Sequence, residues 1–375
     1  MNIENFINCL EVKDSFFTGI PDSQLKSLCN YLQINYGISQ NHIIGANEGN
    51  CTAIAAGYYM ATGKVPVVYL QNSGIGNITN PATSLLHPKV YGIPCVFIVG
   101  LRGDPEFKDE PQHVFQGEIT VKLLNALDIS TFVVSKDTTE NELKIKMQEF
   151  RTLLDLRKSV AFVIKKDALQ YENKVKYANK NIIIRENAIE EIVKVSDQDL
   201  LITTTGKTSR ELYEIREKYN KSHKYDFLTV GSMGHASGIA LGLAINKPNT
   251  KVWCIDGDGA ILMHMGSMAI IGANNPANLI HVLLNNESHE TVGGMPTVSD
   301  NIDFLQIASA CGYKFVFIVK NDNDLPSILK EAKKCSGLCF VEIKVSILSR
   351  ANLGRPATSA RENMANFMKY IKEIN

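Results

Sequence analysis

The chain has 375 residues, 45% hydrophobic and 21% charged, with 39 basic and 39 acidic side chains and a formal net charge of zero. That length exceeds one ordinary core and favours two domains of about 150 to 200 residues each, and the lack of a basic surplus excludes a polyanionic partner, so no nucleic acid is expected. The first residues, "MNIENFINCLEVKDSFF", carry acids where a signal peptide needs basic residues, and no run of roughly 18 apolar residues occurs, so neither export nor a membrane is expected.

The predicted elements alternate between short β-branched runs and amphipathic segments. In the first half the strands are 42–46, 65–70, 94–100, 131–135 and 159–166, with helical patterns near 22–34, 48–62, 77–86, 114–126 and 140–156. In the second half the strands are 199–206, 226–232, 251–259, 278–286, 313–319 and 338–345. Runs that are continuously apolar are buried on both faces, which implies parallel sheets covered by helices. The expected fold class is therefore α/β, two doubly wound parallel-sheet domains over 1–169 and 182–375, joined by the polar linker 170–181. Eight cysteines lie scattered, mostly in apolar runs, and read as reduced core thiols of a cytoplasmic protein; Cys335 and Cys339 lack the second pair that a metal site needs.

In such sheets ligands bind where strands end. "KVWCIDGDGA" leaves Asp256 and Asp258 at one strand end, and "IHVLLNN" leaves Asn285 and Asn286 at the next. Carboxylate and amide oxygens with flanking glycines suit a hard divalent cation such as Mg2+, and the helix opening after Gly259 aims free N–H groups at an anion. A metal-bridged diphosphate answers both features. Taken singly, each motif is equally a tight turn. The 25 residues between Gly259 and Asn285 are what a crossover helix and its return strand require.

GDG followed by NN at this spacing resembles the signature of the thiamine diphosphate-dependent decarboxylase family. The resemblance implies a pyrimidine-binding domain followed by a diphosphate-binding domain, with thiamine diphosphate and Mg2+ as cofactors. It implies Asp258, Asn286 and the carbonyl of Ser288 as metal ligands, with Gly257, Gly259 and Ala260 beside them. "GANEGNCTAIAAGYYMATGK" (45–64) looks like the motif whose glutamate, here Glu48, holds the aminopyrimidine ring; Gly57 and Tyr58 follow nine residues on. Such a carboxyl should sit in a dry site that raises its pKa. "LTVGSMGHASGIALGLA" (228–244) is similar to the stretch that wedges an apolar side chain under the bent cofactor, here Met233, although an ordinary core methionine would be buried alike. Ser232, Gly234 and His235, together with Gly206 and Lys207, lie where the diphosphate should pass.

No middle domain separates the halves, and motifs from end to end are similar to those of the branch that decarboxylates phosphonopyruvate. They include "FFTGIPDSQLKSL", "RGDPEFKDEPQHVFQG" and "LNNESHETVGGMPT". A 2-oxoacid bearing a second anion needs cationic and hydrogen-bonding groups, and Asp22, Ser23, His113, His289 and Glu290 are the candidates. Asp22 could instead cap the following helix. His113 is read as lying in a polar loop, suited to proton transfer. Arg355 could pair with an anion or be a solvated arginine. Glu287 stands where a small residue is expected and should point to solvent. The resemblance also implies a homo-oligomer, at least a dimer, with active sites shared between subunits. Sulfopyruvate decarboxylases are the near rival, and their usual division into separate chains argues against them. A nicotinamide-dependent dehydrogenase would need G-x-G-x-x-G, whereas "SGIGNITN" has Thr79 at the third position. A cofactor sensor would have no use for Glu48.

Overall fold

The computed structural model describes residues 1–347 and 349–374. The chain divides into two compact units, Met1–Lys176 and Tyr177–Asn375.

The first unit holds six parallel strands, β1 (Phe17–Gly19), β2 (His42–Ile44), β3 (Val67–Gln71), β4 (Val96–Gly100), β5 (Ser130–Val134) and β6 (Val160–Ile164), in the order β2-β1-β3-β4-β6-β5. Around them lie α1 (Ile3–Leu10), α2 (Lys26–Asn35), α3 (Glu48–Thr62), α4 (Ile75–Pro81), α5 (Pro111–Ala126) and α6 (Glu140–Asp155). β3, β4 and β6 are the continuous apolar runs read from the sequence. Val67, Val68, Phe97, Ile98 and Phe162 are wholly buried, and each such side chain contributes roughly 1.5–3 kcal/mol. Side chains fix the helix ends. Asn47 caps α3 by accepting from Asn50 N–H, and Thr139 with Glu142 forms a reciprocal capping box on α6.

The second unit holds β7 (Leu200–Thr203), β8 (Asp226–Leu228), β9 (Val252–Gly257), β10 (Leu279–Asn285), a small antiparallel pair β11 (Ser288–His289) and β12 (Met295–Pro296), β13 (Phe315–Val319) and β14 (Cys339–Lys344). Its parallel sheet runs β8-β7-β9-β10-β14-β13. The helices are α7 (Arg185–Ser196), α8 (Lys207–Lys218), α9 (Ala236–Asn246), α10 (Asp258–Met263), α11 (Gly266–Asn274), α12 (Phe304–Ala310), α13 (Leu325–Lys334) and α14 (Ala360–Glu373). Numbered within its own unit, each sheet has the order 2-1-3-4-6-5. The chain therefore reverses direction between the first and third strands of both sheets, and such a switch point opens a crevice at the carboxyl edge.

The sequence reading departs from the structure in a few places. It gave no strand at 17–19, where three residues suffice because β2 and β3 pair on either side. It gave no helix at 3–10, whose buried Ile3, Phe6, Ile7 and Leu10 alternate with polar residues at helical spacing. The single crossover expected after Gly259 is two helices, and the first begins at Asp258.

Candidate active site

At the carboxyl edge of the first sheet, β2 delivers Glu48 to the first turn of α3. Its carboxyl is 4% exposed, and burial pushes its pKa up. Asn77 Nδ2 donates to Oε2 at 2.6 Å, and Oε1 lies against Gly74, where a Cβ would overlap the carboxylate. Gly74 therefore keeps open the space that the acid occupies. Both neighbours are neutral, so among the described residues Glu48 has no adjacent cation to hold it ionised and can carry a proton.

β1 leads to Asp22, fully buried, whose carboxyl burial also pushes up. Gln71, at the end of β3, donates to Oδ1, and Gln24 N–H donates to Oδ2 at 3.0 Å. Asp22 is thus not the cap of α2, which starts at Lys26 behind an uncapped Leu25. Beyond β4 lies Arg102, whose Nε and Nη2 donate to Asp109 and whose Nη1 donates to Ser23 Oγ at 3.1 Å. The main chain of Arg102 is gripped by buried Asn72, with Asn72 Nδ2 donating to its carbonyl at 2.8 Å and its N–H donating to Asn72 Oδ1 at 3.2 Å.

His113 stands in the first turn of α5 rather than in a loop, because Pro111 supplies a preorganised first helical residue. Burial first, and then the charge of Arg102, lower its pKa to about 4, and its Nδ1 is buried without a partner among the described residues. Arg102, Gln71, Asn72, Asn77 and Asp109 were not singled out in the sequence. Arg102 and Asp109 lie within a quoted motif, but only the folded loop reveals that they meet.

The second sheet offers oxygen ligands. Asp258 is buried at the start of α10, where Thr297 and Ser299 hydroxyls donate to Oδ2 at 2.6 and 2.7 Å. Burial raises its pKa, with the two hydroxyls pulling the other way. Asn286 Oδ1 accepts from Ser288 N–H at 3.2 Å, while its Nδ2 donates to Glu290 Oε2 at 3.2 Å. The amide nitrogen is thereby committed to a carboxylate, and the oxygen is the end offered to a cation. Ser288 Oγ is buried with no partner among the described residues. Hard oxygen donors and an orphan hydroxyl within three residues of chain fit a divalent cation such as Mg2+.

Glu290 is engaged by two cations. It pairs with Arg185 and, at 2.9 Å, with Lys207, and Arg185 in turn is held at 2.8 Å by Glu211. Although burial opposes its charge, Arg185 and Lys207 bring the Glu290 carboxyl down to about 2. Lys207 also donates to Ser349 Oγ at 2.6 Å, so its cation is already shared before any anion arrives. Gly206 precedes it at φ +93°, a conformation that glycine adopts without strain.

Met233 is half-buried, and a Cβ on Gly259 would stand 3.2 Å from its Cε and 3.4 Å from the His289 ring. Met233, His289 and Gly259 thus meet at the Asp258 corner. His289 is neutral, its pKa lowered by burial to about 4. Ser232 and Gly234 both have positive φ, and Ser232 Oγ lies 3.1 Å from Nδ1 of exposed His235. His235 packs on His264 at 4.3 Å between ring centroids, a neighbour the sequence did not indicate. Gly257 and Gly259 flank Asp258 in the chain, and Ala260 follows within α10. Glu287 departs from expectation. It adopts φ +60°, the conformation for which a small residue would be favoured, and its carboxylate turns inward to Asn181 at 3.2 Å and Lys344 at 3.4 Å. Arg355 is exposed, outside these clusters.

Comparison with known proteins agrees with this division. Residues 6–125 match the thiamine pyrophosphate enzyme N-terminal TPP binding domain, and residues 204–343 match the C-terminal TPP binding domain. Phosphonopyruvate decarboxylase of Streptomyces viridochromogenes is 34% identical, over 94% of this chain and 90% of that protein. Sulfopyruvate decarboxylase subunit beta of Methanothermobacter thermautotrophicus is 35% identical, but over 50% of this chain and 95% of that subunit. Sulfopyruvate decarboxylase of Methanosarcina acetivorans is 25% identical over 90% of this chain and 88% of its own length. A single chain spanning both halves therefore does not distinguish the two activities, contrary to expectation.

Proposed function

The chain belongs to the thiamine diphosphate-dependent phosphonopyruvate decarboxylase family, and on that premise we propose that it converts 3-phosphonopyruvate to phosphonoacetaldehyde and carbon dioxide during phosphonate synthesis. The observation that carries the substrate is the near full-length similarity to a phosphonopyruvate decarboxylase at 34% identity, against 25% for the full-length sulfopyruvate enzyme.

Thiamine diphosphate, when bound, supplies the carbon nucleophile and the electron sink that a 2-oxoacid decarboxylation needs. The protein's residues have the complementary tasks. Glu48, whose dry carboxyl can hold a proton, would face the pyrimidine nitrogen and hold or release that proton there. Met233 would support the cofactor, while Ser232, Gly234, His235, Gly206 and the N–H groups around Gly257, Gly259 and Ala260 would line its diphosphate. Asp258, Asn286 and the Ser288 carbonyl would hold Mg2+. Asp22 and Ser23 orient substrate, and His113 and His289, both neutral at physiological pH, are placed to exchange a proton with the product carbon.

Glu48 and Asp258 lie in different units, and the family pairs such units between chains, so the working enzyme is a homo-oligomer of at least two subunits, placed in the cytoplasm. The test is aldehyde formation by the purified protein with thiamine diphosphate and Mg2+, comparing kcat/KM for phosphonopyruvate, sulfopyruvate and pyruvate. A strong preference for phosphonopyruvate supports the assignment. Preference for sulfopyruvate would transfer the chain to the rival activity, and no turnover of any of the three would overturn decarboxylation itself.

A further inference from the structure

We propose that Arg102, with Ser23 at its side, selects the anionic head that the substrate keeps. The inference rests on the decarboxylase reading above and deepens it by naming the residue that tells a phosphonate or sulfonate from a methyl group. The substrate carries two anions with opposite requirements. A firm ionic grip on the carboxylate would stabilise the ground state and oppose loss of carbon dioxide, whereas the head group keeps its charge throughout and can be held by a permanent cation. A guanidinium meets that need, because its planar fork matches tetrahedral oxyanions and it never loses its proton.

The geometry is that of a held side chain with one end turned to its own purpose. Asn72 is wholly buried and is itself bonded to Thr120 at 2.9 Å, so the backbone of Arg102 has little freedom. Asp109 occupies the Nε and Nη2 edge, and Gly103 and Glu110 N–H groups donate to the same carboxylate at 2.9 and 2.8 Å. That bracing leaves the Nη1 end directed at Ser23, next to Asp22, on the loop after β1. The switch point lies between β1 and β3, with β4 next to β3, and a ligand crevice is expected there.

A merely structural arginine, tying down residues 103–110, would need only Asp109. It would not need Ser23, nor leave His113 Nδ1 buried and unsatisfied on the adjoining helix turn. Lys165, on the loop after β6, is already shared between Asp104 at 3.2 Å and Glu106 at 2.9 Å. Two carboxylates are bonded to it, whereas Arg102 bonds one, Asp109, with the charges of Asp22 and Glu110 nearby.

The experiment compares wild type, Arg102→Gln and Arg102→Lys as holoenzymes. It measures kcat/KM for phosphonopyruvate and pyruvate, the Kd of phosphonoacetate by calorimetry, and thiamine diphosphate affinity by fluorescence quenching. In Arg102→Gln the phosphonopyruvate-to-pyruvate ratio should fall by about 100-fold, with a comparable weakening for phosphonoacetate and unchanged cofactor affinity. Arg102→Lys, which keeps the charge but not the fork, should fall between. An equal loss on both substrates, or an unaltered phosphonoacetate Kd, would overturn the proposal. Should wild type fail to turn over phosphonopyruvate, the functional reading falls, yet the phosphonoacetate titration still decides the role of Arg102.

Discussion

The two units share one strand order, and their carboxyl edges are chemically unlike. In the first, the acids Glu48 and Asp22 are bonded to neutral amides and pushed up by burial, with the Arg102 charge opposing that rise only at Asp22. In the second, Asp258 is likewise buried against neutral hydroxyls and pushed up, whereas Glu290 is pinned by two cations and pushed down. The same topology thus surrounds Glu48 with neutral groups and Glu290 with cations. The fold decides where a side chain stands; its neighbours decide whether it ionises.

The sharpest way to break the contrast is to remove the proton-holding acid. Glu48→Gln keeps the hydrogen bond from Asn77 and deletes the titration, so kcat should fall about 10^3-fold while Mg2+ affinity, measured by titration of the protein, is unchanged. A comparable loss of metal binding would show that the two edges do not act separately.

A smaller effect is expected from the second edge. Glu290→Ala frees the Asn286 amide to rotate and releases Lys207. Mn2+ affinity, read by electron paramagnetic resonance in place of Mg2+, should weaken by about 10–100-fold, the usual effect of removing a residue that orients a metal ligand. Unchanged affinity would mean that Asn286 is oriented by Ser288 N–H alone.

The smallest effect concerns stability. Because the folded pKa of Glu48 is raised, its contribution is fully present below the unfolded carboxyl value of about 4.3 and is lost as pH rises through the folded value. Glu48→Gln apoprotein should therefore exceed wild type by about 1 kcal/mol in urea unfolding at pH 8, and this gain should vanish near pH 4. Glu290, whose pKa is lowered, has the opposite sign, stabilising above the usual carboxyl range and losing that contribution only as the solution approaches about pH 2.

Much of this was legible in the sequence because buried parallel strands are continuous apolar runs, and because glycine-flanked acids and asparagines at strand ends leave a local mark. β9 and β10, with Asp258 and Asn286 at their ends, needed no tertiary information. Arg102 with Ser23, or Glu290 with Arg185, could not be read that way. Their partners are 79 and 105 residues distant along the chain, and no local pattern records such a meeting. Glu287 failed for a related reason: the sequence shows an acid beside a metal ligand, but not the lysine on β14 that turns it inward.

The segment at 170–181 reads as one polar stretch, yet its two ends have different fates. Residues 170–176 run along the first unit, mostly exposed. Asn179, by contrast, donates to the carbonyl oxygens of Asn286 and Val345 at 3.0 and 2.9 Å, and Asn181 reaches Glu287. A protease would therefore meet two substrates in one stretch. A cut before Lys176 leaves both asparagines in place, whereas a cut between Asn179 and Asn181 parts the two side chains that brace the 285–288 loop.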